Sequence, residues 1–236
     1  MNIIPRRDFL KYTSLAIGST AFISAADRAS AEDPTTDLQS QSIDYSNLSP
    51  SEAISELMAG NQRFVQQTLQ NPHQDRSRLK QTALAQSPFA CVLTCSDSRV
   101  VPEIIFDRGL GDLFVVRDAG NIATAGEIGS LEYGVSVLGA KVILVMGHQN
   151  CGAVRAALEL KSSSGFIASL INEILPAVEM AKQKNGELIY NSITTNILLQ
   201  KRKIQTSPII SQLVTQNLLE VIGAYYDLET GKVSLL

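Results

Sequence analysis

Four short stretches of the chain are apolar without polar alternation: Phe89 to Thr94, Leu113 to Val116, Val142 to Met146 and Val221 to Tyr225. A strand with no polar face is buried on both sides, as in a parallel sheet covered by helices. The segments around them carry apolar residues at helical spacing instead. Leu57, Phe64 and Val65 mark one helix, for which Ser49 or Ser51 is a candidate cap. Asn71-Pro72-His73 breaks that pattern. Helical spacing returns over 127–138, opens again at Cys151-Gly152-Ala153-Val154, and recurs over 166–184, 187–203 and 207–219, where Pro208 suits a first turn. Asp227 to Gly231 reads as a turn and Lys232 to Leu235 as a short closing strand. The expectation is an α/β fold: a mainly parallel four-stranded sheet with a fifth strand at its edge, flanked by helices. No internal repeat is visible.

Two of the apolar strands end in chemically loaded segments. The first runs into Cys95-Ser96-Asp97-Ser98-Arg99 and the third into His148-Gln149-Asn150-Cys151. The carboxyl ends of parallel strands are where open α/β sheets place their sites. Two thiolates and an imidazole make three zinc ligands, Cys95, His148 and Cys151, and leave a fourth tetrahedral position free, as at a catalytic zinc. The chain has three Cys and two His, so most of its soft ligands fall in this group. Asp97 and Arg99 follow the first ligand closely enough to hold each other by a charge-assisted hydrogen bond. His73, in a polar loop, reads as solvated. Cys91 and Cys95 lie about 13 Å apart at about 3.3 Å per residue of strand. A disulfide needs Cα atoms within about 7 Å, so Cys91 reads as a small buried apolar residue.

The 236 residues suit one domain with extensions, and 44% hydrophobic residues are enough for a sizeable core. A net charge of −3 and no basic face exclude nucleic acid as an expected partner. Residues 1–31 read as a signal peptide of twin-arginine type. Arg6-Arg7-Asp8-Phe9-Leu10-Lys11 precedes a mild apolar run from Ser14 to Ala26, and Ala29-Ser30-Ala31 offers a cleavage site. That run is too short and too polar to span a bilayer, so no stable membrane anchor is expected in the mature chain. Cleavage after Ala31 removes four basic and two acidic side chains and leaves −5. The expected location is the periplasm, reached as a folded protein. Residues 32–46 read as a flexible spacer and 47–236 as the domain.

C-x-D-x-R followed by H-x-x-C resembles the β-class carbonic anhydrases. The resemblance extends to Ser49-Pro50-Ser51-Glu52-Ala53, Gly60-Asn61-Gln62-Arg63-Phe64, Gln86-Ser87-Pro88 and Gly223-Ala224-Tyr225-Tyr226-Asp227. It implies zinc-dependent, reversible hydration of carbon dioxide to bicarbonate through a zinc-held hydroxide. It also implies a homodimer or dimer of dimers, with the N-terminal helix packed on a neighbouring subunit. Asp97 and Arg99 match the family's dyad, in which Arg holds Asp away from the metal. Gln86 matches a glutamine of the plant-type branch that donates a hydrogen bond to substrate. Phe114 and Tyr133 match positions lining the substrate pocket, some of which come from the neighbouring subunit, and Gly152 offers a backbone N–H to bicarbonate. In the branch that closes its site, the aspartate becomes a fourth ligand and bicarbonate binds a Trp-containing side pocket; this chain has no Trp. Hydrolysis of carbon disulfide or carbonyl sulfide on the same scaffold is the alternative within enzymes, and a non-catalytic zinc protein the alternative outside them. A thiol redox protein lacks its second nearby cysteine.

Overall fold

The computed structural model describes residues 45–159 and 165–236. The twin-arginine segment and nearly all of the spacer lie outside them. Tyr45, expected in the spacer, already packs on the domain. Tyr45 is buried in a short 3-10 turn, Tyr45–Asn47, and stacks on Phe89 at 4.6 Å.

The sheet has five strands: β1 (Ala90–Thr94), β2 (Leu113–Arg117), β3 (Val142–His148), β4 (Glu220–Tyr226) and β5 (Val233–Leu235). Their order is β2-β1-β3-β4-β5, with the first four parallel and β5 antiparallel on β4, as the apolar runs led us to expect. Every side chain of β1 and β3 is buried. Alternate residues serve two separate cores. Cys91, Leu93, Ile143 and Val145 face one layer, built from α4 (Ala125–Ser136), α5 (Gly152–Leu158), α6 (Ile167–Ala181), α7 (Leu188–Ile204) and α8 (Pro208–Thr215). Ala90, Val92, Val142, Leu144 and Met146 face the other, under α1 (Pro50–Val65) and α3 (Pro102–Ile105). A seven-residue helix, α2 (Arg76–Thr82), has no buried residue and is capped by the Asp75 side chain.

Local chemistry fixes the helix ends. Ser49 caps α1 in a capping box with Glu52, and Ser207 caps α8 ahead of Pro208. Asn61, buried on α1, donates to the carbonyls of Ile105 and Gly231 and accepts from the N–H of Val233. One amide thereby joins α1 to α3 and to the closing strand. On the other face α7 lies very close to the sheet. A Cβ on Gly147 or on Gly223 would sit 2.8 or 2.9 Å from Ile197 carbons, so both strands need glycine where that helix crosses.

His73 corrects the sequence reading. It is 8% exposed, and its Nδ1 lies 2.7 Å from an oxygen of Asp112, a carboxylate that also accepts from Arg78 at 3.1 Å and from the Gly109 N–H. A partner 39 residues away took the ring out of water. Cys91 is fully buried and free, and burial pushes its thiol up to about 12, consistent with an inert core position.

Candidate metal centre

The register of the parallel strands assembles the site. Thr94 pairs with Met146, so Cys95, one residue on, and His148, two residues on, emerge close together at the carboxyl end of the sheet. Asn150, with φ of 54°, turns the chain back, and Cys151 becomes the N-cap of α5. The ligand atoms of Cys95, His148 and Cys151 all lie within 4.8 Å of one another, and all three residues are buried. The two sulfurs are 4.0 Å apart. Two sulfurs on a tetrahedral zinc, each about 2.3 Å from it, would be about 3.8 Å apart.

The imidazole is oriented for a metal. Its Nδ1 lies 2.9 Å from the Gln149 carbonyl and donates to it. That assignment leaves the lone pair on Nε2, which is buried and has no hydrogen-bond partner. An unpaired buried acceptor costs about 1–3 kcal/mol unless something occupies it. An orphan imidazole nitrogen between two thiols fits a divalent, thiophilic ion. The two thiols are placed to hydrogen-bond each other. The hydrogen bond between the two sulfurs draws the Cys95 thiol well below its ordinary range against the burial that opposes it, and the Gly120 N–H at 3.3 Å acts in the same direction. The same bond, with burial, drives Cys151 upward. A metal ion would take the place of the proton in that bond.

Asp97 and Arg99 stand at the rim. Arg99 Nη2 lies 2.7 Å from Asp97 Oδ2, and its Nε lies 2.9 Å from Oδ1, which also accepts the Arg99 N–H. This fork holds the Asp97 carboxyl well below the usual carboxylate range. Asp97 Oδ2 is 3.8 Å from His148 Nε2, so the carboxylate faces the cluster while committed to the arginine. Gly152 follows Cys151 at the start of α5; no atom lies within 4 Å of where its Cβ would be, so its backbone borders open space.

The other expected site residues are elsewhere in the protomer. Phe114 is in register with Cys91, about 13 Å back along the strand from Cys95. It contacts Tyr133, which is 48% exposed, at 6.2 Å between ring centres. Gln86 is exposed in the loop before β1, where it lines a cleft of about 370 Å³ with Thr82, Leu110 and Gly111. Gln86 precedes β1, Phe114 is the second residue of β2 and Tyr133 packs on Phe114 from α4, so all three lie toward the amino-terminal edge of the sheet. A single protomer therefore does not bring them to the metal cluster.

Residues that sequence reasoning missed hold the cluster in place. Arg117, the last residue of β2, donates to the Cys95 carbonyl at 3.1 and 2.9 Å and to the Asp97 carbonyl at 2.7 Å. Gln149 accepts from the Leu228 N–H and donates to Glu229, tying the His148 turn to the turn after β4. The acceptors of Arg117 are backbone atoms, so no side-chain pattern signals it. An arginine closing an apolar parallel strand was the one available hint.

An α/β sheet that delivers two thiols and an imidazole to one point at its carboxyl end defines a site of metalloenzyme type. Comparison with known proteins narrows this. The family model described as "Carbonic anhydrase" matches residues 90–233. "Carbonic anhydrase 2" of Mycobacterium tuberculosis is 35% identical over 199 residues, covering 80% of this chain and 94% of that protein. The carbonic anhydrase of Pseudomonas aeruginosa is 35% identical over 176 residues, covering 68% and 79%. Among solved structures, the β-carbonic anhydrase CcaA superposes with a TM-score of 0.62 at 31% identity, covering 77% of this chain and 94% of that one. A Coccomyxa β-carbonic anhydrase gives 0.61 at 26% identity, covering 79% and 82%. The chain belongs to the β-class carbonic anhydrase family.

Proposed function

We propose that the protein is a zinc-dependent carbonic anhydrase that interconverts carbon dioxide and water with bicarbonate and a proton. The observation that carries this reading is the orphaned, buried Nε2 of His148 beside two thiols 4.0 Å apart, under a carboxylate that an arginine holds back. Cys95, His148 and Cys151 would hold the metal. Zinc, when bound, supplies the Lewis acidity that makes water a nucleophile near neutral pH.

The chain's own groups orient the rest. Asp97, kept ionised by Arg99, accepts a hydrogen bond from the attacking water at Oδ2 and so directs an oxygen lone pair at the carbon of carbon dioxide. Arg99 occupies both carboxylate oxygens and keeps Asp97 out of the ligand set. The Gly152 N–H offers a donor to a bicarbonate oxygen. Gln86, Phe114 and Tyr133 act from a second copy of the chain, which supports a homodimer or a dimer of dimers as the working form. The Asp97–Arg99 fork, the match at Gln86 and the lack of Trp favour the open, plant-type branch, with activity lost on acidification and without cooperative inhibition by bicarbonate. The proton leaves through water or buffer. His73, the other histidine, is clamped by Asp112 and unsuited to shuttling.

Arg6-Arg7 and Ala29-Ser30-Ala31 support export through the twin-arginine route to the periplasm. Export after folding would deliver the thiol site already metallated. Stopped-flow hydration of carbon dioxide by the mature chain, with carbon disulfide hydrolysis measured on the same sample, tests the reading. Hydration well above buffer is expected. A fully zinc-loaded protein that hydrolyses carbon disulfide and leaves carbon dioxide untouched would contradict it.

A further inference from the structure

We infer that Asn196 and Gln200 of α7 are positioning residues for the metal centre: through Gly120 they aim a backbone N–H at the Cys95 sulfur and set its charge. The inference rests on the reading of Cys95 as a metal ligand and names residues outside the ligand set and its rim.

Both side chains are buried, at 0% and 1% exposure, on a helix whose Ile193 and Ile197 press against the sheet at Gly147 and Gly223. Spaced four residues apart, they share one helix face. The Ala123 N–H donates to Gln200 Oε1 at 3.0 Å, Gln200 Nε2 donates to Asn196 Oδ1 at 3.1 Å, and Asn196 Nδ2 donates to the Gly120 carbonyl at 2.8 Å. Gly120 N–H points at Cys95 Sγ at 3.3 Å.

The direction of this relay is fixed by its ends. A backbone N–H at Ala123 demands an oxygen from Gln200. That places the Gln200 amide nitrogen toward Asn196, whose oxygen must then meet it. The Asn196 nitrogen is left for a carbonyl, and Gly120 supplies one. No flipped arrangement satisfies both ends. Gly120 itself is confined. Its φ is +84°, and a Cβ there would meet Ile174 Cδ1 at 2.6 Å, so only glycine fits. Anchored by its carbonyl on one side, the residue presents its N–H to the sulfur on the other.

An N–H bonded to a thiolate draws electron density from the sulfur. A ligand set with two thiolates neutralises zinc and makes its water less acidic than a three-histidine set would. Withdrawing charge from Cys95 offsets that effect. Burying two amides in an apolar layer is costly unless each bond is made, and here each placed atom has a partner. The relay thus gives α7 a task that packing alone would not need.

The test uses cobalt(II)-substituted full-length protein and follows its thiolate-to-cobalt charge-transfer band. Asn196→Leu removes the anchor at similar volume. Gln200→Glu keeps an acceptor for Ala123 but no donor for Asn196, which turns its amide and presents oxygen to Gly120. Both variants should move the band to longer wavelength, and the zinc forms should lose about 10–100-fold in kcat. Ile197→Val, one residue along the helix, lowers the melting temperature through packing and should leave the band in place. If Asn196→Leu does not fold, Gln200→Glu decides alone. A folded Gln200→Glu variant with an unshifted band overturns the inference and makes the relay purely structural. If the unmodified protein shows no thiolate-to-cobalt band, the metal-centre reading itself fails, and the inference with it.

Discussion

Replacing Arg117 by Met keeps the aliphatic stem and removes a guanidinium that holds the Cys95 and Asp97 carbonyls through three contacts of 2.7–3.1 Å. Bonds from a charged donor contribute about 1.5–3 kcal/mol each when buried. Arg117 is exposed, so solvent screens them and the lower part of the neutral range of about 0.5–1.5 kcal/mol each is the better measure. The expected loss is about 2 kcal/mol, or roughly 4–8 °C in melting temperature for a domain of this size. The effect on turnover should be larger. The turn carrying Asp97 is tied to β2 at that carbonyl, and a displacement of about 1 Å of a positioning group costs about 100-fold. Arg117→Lys keeps the charge but has no fork to span two carbonyls, so it should fall between. Stopped-flow hydration, zinc content and thermal melts on the same preparations separate the two effects. A zinc-replete Arg117→Met protein within twofold of the unmodified kcat/KM would refute the reasoning.

Asp97→Asn and Arg99→Ala should each retain zinc, lose most activity, and combine far from additively, because each leaves the other misplaced; wild-type turnover in either would remove the orienting role. Asp107 is inaccessible, accepts from Arg63 at 2.5 Å and from two backbone N–H groups, and is held below its ordinary pKa by the Arg63 and backbone bonds, which outweigh its burial. Its stabilisation is therefore present at neutral pH and disappears as pH falls below about 4 through the depressed value. Asp107→Asn, whose backbone tolerates the same φ of 48°, should cost about 2–3 kcal/mol in urea melts at pH 7 and progressively less as pH is lowered below about 4; a cost that does not change with pH would show that charge is not the cause. Changing Arg6 and Arg7 to Lys should trap the precursor in the cytoplasm, and unimpaired export would point to another route.

The sheet was legible because β1 and β3 are buried on both faces and so carry no polar alternation. The metal cluster was legible because its ligands sit at strand ends in a chain poor in Cys and His. The helices expected at 127–138 and 187–203 stand at 125–136 and 188–204, and the one expected to reach 219 stops at Thr215. α2 has no buried side chain and hence no apolar period; its cap and the bond from Arg78 to the Leu110 carbonyl hold it. His73 looked solvated because its neighbours in sequence are polar, whereas its environment is set by Asp112. Asn196 and Gln200 read as ordinary polar helix positions, since their partners are backbone atoms more than seventy residues away. Spacing reveals ligands that share a point; it does not reveal what holds the backbone around them.

Catalysis should depend on one zinc held by Cys95, His148 and Cys151. Metal-free protein titrated with zinc, with carbon dioxide hydration followed at each step, tests it most directly. Activity should rise linearly and level off at one zinc per chain, and a His148→Ala protein should neither retain the metal nor gain activity. Hydration by the metal-free chain, or full zinc occupancy in the His148→Ala variant, would contradict it.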